Sequence, residues 1–179
     1  MYKIDINNLE NFFDAVRNKY PLVVMQGENV TSTRSVKDYF FPKTENIAKF
    51  KFADKKIEVT ENIPSDKPFV IFGARACDVA SLKVLDEVYL NMDPVDSYYK
   101  AKRENGVLIT KACKPCEILK TCFCASPSTA TTQTGLTACE PEGDIISFET
   151  EGCIFFDAKT EKGKNLISEI SSNAELSEA

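Results

Sequence analysis

Hydrophobic positions along this chain switch between a helical period and strict alternation, and the switches predict its elements. Leu9, Phe12, Phe13 and Val16 recur at helical steps within "MYKIDINNLENFFDAVRNKY", which predicts an amphipathic opening helix. "PLVVMQGENV" (21–30) reads as a short buried strand closed by a turn at Gly27. "STRSVKDYFFPKTENI" (32–47) predicts a helical turn capped by Ser35 and interrupted at Pro42. "IAKFKFADKKIEVTE" (47–61) alternates on both sides of Asp54–Lys55, as a hairpin does.

"KPFVIFGARACD" (67–78) breaks the alternation with an apolar run from Phe69 to Phe72 ending at Gly73, the pattern of a central strand. In "DVASLKVLDEVYL" (78–90), Val79, Leu82, Leu85, Val88 and Tyr89 return to helical spacing, with Asp78 as the expected cap. "PVDSYYKAKREN" (94–105) predicts a second helix closed by Gly106, and "GVLITKAC" (106–113) a second buried strand. "DIISFET" and "CIFFDAK" predict a hairpin turning at Glu151–Gly152, and "TEKGKNLISEI" a last helix.

Strands alternating with helices imply an α/β or α+β architecture, a mixed sheet flanked by helices. The expected organisation is one domain over residues 1–170. The polar end 171–179 is expected to be a frayed tail or the start of a linker.

Composition narrows the partners. A net charge of −5 and a pI near 5.0 argue against a nucleic-acid footprint, which needs clustered Lys and Arg. No apolar run approaches the roughly 18 residues of a membrane helix, so no membrane insertion is expected. The opening residues carry charges throughout and lack an apolar signal core, so a cytoplasmic protein is expected. In that reducing compartment stable disulfides are rare, and clustered thiols point to metal or redox chemistry.

The thiols are concentrated. "ACKPCEILKTCFC" (112–124) holds Cys113, Cys116, Cys122 and Cys124, and the chain has seven cysteines and no histidine. Cys77 and Cys113 each fall just past the C-terminal end of a predicted buried strand, the sheet edge where ligands usually sit in open α/β folds. A [4Fe–4S] cluster takes four thiolates. Cys122 and Cys124 form a C-x-C pair, Cys113 lies nine residues upstream, and Cys77 would arrive from the other strand. Zinc is the rival, since "CKPC" is a C-x2-C half-site, although the following C-x-C spacing is imperfect for it. A redox-active dithiol ranks third, because two further thiols crowd the same loop. Cys153 reads as a buried strand residue and Cys139 remains open between a spectator and a ligand.

Three stretches together, "FGARACDVASLKVLDEVYL" (72–90), "DSYYKAKRENGVLI" (96–109) and "TCFC" (121–124), resemble the N-terminal region of iron–sulfur beta subunits of cytoplasmic sulfhydrogenases. Iron–sulfur subunits of anaerobic sulfite reductases are similar, and "FFPKTENI" (40–47) matches in place. The likeness covers most of residues 35 to 125. It implies Cys77, Cys113, Cys122 and Cys124 as the ligands of one [4Fe–4S] cluster, with Cys116 outside the pattern. It also implies a non-catalytic electron-transfer component of a multi-subunit oxidoreductase, with a flavoprotein and a catalytic subunit as partners. The ferredoxin-like C-x2-C-x2-C-x3-C-P runs of that family do not occur in this sequence.

The surrounding residues then have expected roles. Arg75 would offset the charge of an all-thiolate cluster, and Phe123, with Phe40 and Phe41, would keep its surroundings dry. Lys111, Lys114 and Lys120 would shape the local field or meet an acidic partner. The competing expectation is a zinc-stabilised interaction module without redox activity.

Overall fold

The structure, a computed structural model, describes residues 1–25, 34–53, 55–62, 67–114 and 141–178. Tyr2–Asp5 (β1) precedes the opening helix Leu9–Arg17 (α1), joined to it by a 3-10 turn that the Asp5 carboxylate caps at the Asn7 amide. Phe12, Phe13, Ala15 and Val16 are the buried side of α1, as its spacing predicts. Leu22–Val24 (β2) follows, then the short helix Lys37–Phe40 (α2). Ala48–Ala53 (β3) and Lys56–Glu61 (β4) pair as the expected hairpin. The central strand Phe69–Arg75 (β5) runs into Ala76–Ala80 (α3) and Leu82–Tyr89 (α4). Ser97–Asn105 (α5) starts where the Asp96 carboxylate accepts from the Tyr99 amide, and leads into Gly106–Lys111 (β6). Ile145–Thr150 (β7), Cys153–Ala158 (β8), Glu161–Ile170 (α6) and Ser177–Glu178 (β9) complete the described elements.

Seven of the described strands form one mixed sheet in the order β2-β5-β6-β7-β8-β1-β9. The pairs β2–β5, β5–β6 and β6–β7 are parallel, whereas β7–β8, β8–β1 and β1–β9 are antiparallel. Parallel strands are covered on both faces, which explains the unbroken apolar runs in β5 and β6. Val70, Phe72, Val107 and Ile109 face a core shared with α1 and α6; Ile71 and Leu108 face a second core shared with α2, α3, α4 and α5. Phe12 stacks on Phe156 with centroids 4.8 Å apart, and Phe13 meets Phe72 edge-on at 4.9 Å, fixing α1 to the sheet. Aromatic pairs of this kind contribute roughly 0.5–1.5 kcal/mol beyond their burial.

Several expectations need correction. β5 does not end at Gly73: it continues to Arg75 through a register shift between Phe72 and Ala74, with Gly73 at φ +83. β2 is an edge strand with Val24 37% exposed, so it is not the buried strand its composition suggests. The expected 78–90 helix is two helices parted at Ser81, whose hydroxyl donates to the Asp78 carbonyl at 2.6 Å and competes with the helical ladder. Gly106 does close α5, its amide donating to the Lys102 carbonyl, but not in the left-handed region. It sits at φ −76 and begins β6, and a Cβ there would stand 2.6 Å from the Phe40 ring. Cys153 is half-buried at the start of β8 and belongs to neither core. Gly27 lies outside the described residues.

Asp144, just before β7, ties the parallel half of the sheet to α6. Its buried carboxylate accepts from the Leu108 amide at 2.9 Å and the Thr160 hydroxyl at 2.6 Å, and Thr160 caps α6. Its carbonyl accepts from the Lys159 amide, so the β8–α6 connection is fixed at the same residue. Beyond α6, Ala174 is buried and Ser177–Glu178 pair with Lys3 and Tyr2.

Candidate metal centre

The parallel register of β5 and β6 sets the position of two candidate ligands. Arg75 and Lys111 are partners on the last rung, and Cys77 and Cys113 lie two residues beyond each. Adjacent parallel strands run roughly 4.8 Å apart, so both cysteines leave the sheet at one edge. β7 ends its pairing with β6 at the same level, where Lys111 faces Ser147. The chain therefore presents Arg75, Lys111 and Ser147 side by side along that edge.

Local bonds hold each cysteine segment in place. Beyond β6, the Ala112 amide donates to the Ser147 carbonyl at 2.8 Å, and the Ser147 hydroxyl donates back to the Thr110 carbonyl at 3.2 Å. One residue past Cys113, Lys114 pairs with Glu149 of β7 at 2.8 Å. Cys113 is half-buried, whereas Cys77, in the first turn of α3, is exposed.

Asp78 does not cap the helix that follows it. Its carboxylate accepts from the Ser35 hydroxyl at 2.7 Å and from the Val36 amide at 2.6 Å. The residue next to Cys77 thereby satisfies the start of α2, 42 positions upstream of it. Arg75 is half-buried at the junction of β5 and α3, two residues before Cys77 as expected.

The expected dry wall of Phe40 and Phe41 lies elsewhere. Phe40 is fully buried against Phe69 and Gly106, the first residues of β5 and β6, so it stands at the opposite strand ends from Cys77 and Cys113. Five rungs of parallel strand separate the two ends by roughly 16 Å. Phe41 is 43% exposed and stacks on Tyr89 at 4.6 Å.

Cys116, Cys122, Cys124, Cys139, Phe123 and Lys120 lie outside the described residues. Among the described residues no three metal-ligating side chains come together. The described share of the candidate donor set is two thiols at one sheet edge, and among the described residues no carboxylate cluster competes with them. That donor chemistry fits soft, thiolate-only ligation.

A second polar centre lies between α4 and α5. The Asp86 carboxylate receives two bonds from Arg103, each at 2.7 Å, and a third from the Tyr99 hydroxyl at 2.6 Å. Burial works against the Asp86 charge, but the Arg103 and Tyr99 donors outweigh it and keep its pKa below the ordinary value. Burial and the Asp86 charge together push the Tyr99 phenol well above its ordinary range. A groove of about 570 Å³ runs past this cluster, and its Lys83–Glu142 and Arg103–Asp86 pairs satisfy one another. The sequence pattern did not expose this network or the Asp144 one, because neither forms a local motif. Thr160, three residues before Gly163 at a helix start, was the one local signal.

No helix among the described residues is long and apolar enough to cross a membrane. No family model matches the chain, and no solved structure matches it. Over 78 residues it is 42% identical to Sulfhydrogenase 2 subunit beta of Pyrococcus furiosus, a stretch covering 44% of this chain. That stretch is 22% of the relative, so the chain matches about a fifth of that protein's length. The sequence resemblance to a sulfhydrogenase beta subunit therefore holds over part of the chain.

Proposed function

We propose that this chain binds one [4Fe–4S] cluster and serves as an electron-transfer component of a multi-subunit oxidoreductase of the hydrogenase beta-subunit type. The observation that carries the reading is the β5–β6 register, which brings Cys77 and Cys113 to one sheet edge from positions 36 residues apart along the chain. Similarity to a protein named as a sulfhydrogenase beta subunit supports the same reading. The proposed ligands are Cys77, Cys113, Cys122 and Cys124.

The cluster would supply reversible one-electron storage. The protein's part is to hold and tune it. Cys77 would be oriented by α3, anchored through Asp78 to α2, and Cys113 by the Ala112–Ser147 and Lys114–Glu149 links to β7. Arg75 would counter the negative charge of a four-thiolate site and so favour reduction, with Phe123 shielding it from water. In this reading residues 1–170 form one iron–sulfur domain of a cytoplasmic protein. Its partners would be a flavoprotein and the subunit carrying the terminal chemistry, of hydrogenase or sulfite reductase type.

Anaerobically purified protein is expected to be brown, to bleach on adding dithionite and to carry about four irons per chain. Colourless protein holding one tightly bound zinc would replace this reading with a zinc-stabilised interaction module.

A further inference from the structure

Among the described strands of six or more residues, only those of the β3–β4 hairpin have no buried residue. Their alternation nevertheless separates two faces sharply. Ala48, Phe50 and Phe52 lie opposite Glu61, Val59 and Ile57, so one face is almost entirely apolar. Lys49, Lys51, Lys56, Glu58 and Thr60 occupy the other. On the apolar face Phe50 is 64%, Phe52 78%, Ile57 61% and Val59 58% exposed. A two-stranded ribbon in water is marginal alone, and a contiguous apolar patch of this kind marks a contact surface.

We infer that this face is covered by the same face of a second copy of the chain, packed antiparallel about a two-fold axis. Charge selects the occupant. The apolar face carries a single charge, Glu61 at the hairpin base, while Lys55 stands at the tip, at φ +62. Turning one hairpin over another about an axis through the Lys51–Glu58 rung sets each tip above the other's base. Lys55 of each copy then meets Glu61 of the other, and each Phe52 falls over the other's Phe50.

The same geometry argues against a membrane. Lys49, Lys51 and Lys56 point away from the apolar face, so a lipid surface receiving Phe50 and Phe52 would meet Glu61 and not those lysines. Aromatic and aliphatic side chains of this size offer on the order of 400–500 Å² per copy. Two copies would bury on the order of 800–1,000 Å², at the lower limit for specific association, so the dimer should be reversible and concentration-dependent.

Sedimentation velocity on the full chain, over a hundredfold range reaching high-micromolar concentration, tests this. A monomer–dimer equilibrium is expected. Phe52→Glu should leave only monomer, with the far-UV circular dichroism and melting temperature of the parent. Lys55→Glu and Glu61→Lys should each weaken the dimer about tenfold, and the double exchange should restore it. A monomer throughout, a dimer indifferent to Phe52→Glu, or no restoration by the double exchange would overturn the inference. So would Phe52-dependent flotation of a monomer with phosphatidylglycerol vesicles, or burial of the hairpin by a different protein subunit.

Discussion

Cys77 and Cys113 stand at matching positions, each two residues beyond the rung on which Arg75 faces Lys111. The match follows from parallel pairing, because parallel neighbours deliver their following residues to the same edge. The residues beside them are held from two sides: α3 is tied to α2 through Asp78, and the loop beyond β6 to β7 through Lys114.

Asp78→Ala should release the first of these ties. The Val36 amide and Ser35 hydroxyl would lose a charged acceptor in a half-buried setting, a loss of about 1–3 kcal/mol. Urea denaturation should show a lowered midpoint with an unchanged slope, and Ser35→Ala should cost less, since the Val36 bond survives. Equal stability of Asp78→Ala and the parent would contradict the assigned role.

Asp144→Ala should be the most damaging single polar substitution. It strands the buried Leu108 amide and unties the Thr160 cap, and removing such an acceptor costs about 3 kcal/mol. Thr160→Ala, which removes the cap and one donor to Asp144 but leaves the Leu108 amide satisfied, should cost less, about 1–2 kcal/mol. The comparison can be read from thermal melts of the two variants.

Gly163→Ala should destabilise although it lies in a helix, where alanine is ordinarily favoured by about 1 kcal/mol. The added Cβ would lie within van der Waals overlap of the Asp144 carbonyl oxygen, a backbone atom held by its own bonds to Lys159 and Thr160. A stabilised variant would show that α6 moves freely at this point.

The Asp86–Tyr99–Arg103 cluster predicts opposite effects at the two ends of the pH scale. Asp86 has a folded pKa below its unfolded one, so its contribution is present above the unfolded value and lost as pH falls through the folded one, below about 4. Tyr99 has a folded pKa above the ordinary 10.0, so its contribution is present below that value and lost as pH rises beyond it. Melting temperature against pH should therefore fall at both extremes. Asp86→Asn should flatten the acid side relative to the parent, and an unchanged acid side would contradict the coupling.

Much of this architecture was legible in the sequence. The α1 face, the hairpins and the apolar runs of β5 and β6 follow from periodicity and from burial on both faces. Periodicity alone puts Cys77 and Cys113 past strand ends, and the parallel pairing adds that those strands are neighbours. β1 was hidden because four residues ahead of a strong helix give too short a pattern. The true partners of Asp78, Ser35 and Val36, are distant in sequence, whereas a cap is read only from nearby residues. Phe40 and Phe41 looked like cluster walls for the same reason: sequence proximity to a motif does not reveal which strand end a side chain reaches.

The central claim, that Cys77 and Cys113 share one cluster, is tested most directly by iron analysis of anaerobically purified Cys77→Ser beside the parent. The parent should hold about four irons per chain and the variant should lose them, as should Cys113→Ser. Full iron retention by Cys77→Ser, with loss from Cys116→Ser in its place, would contradict the account.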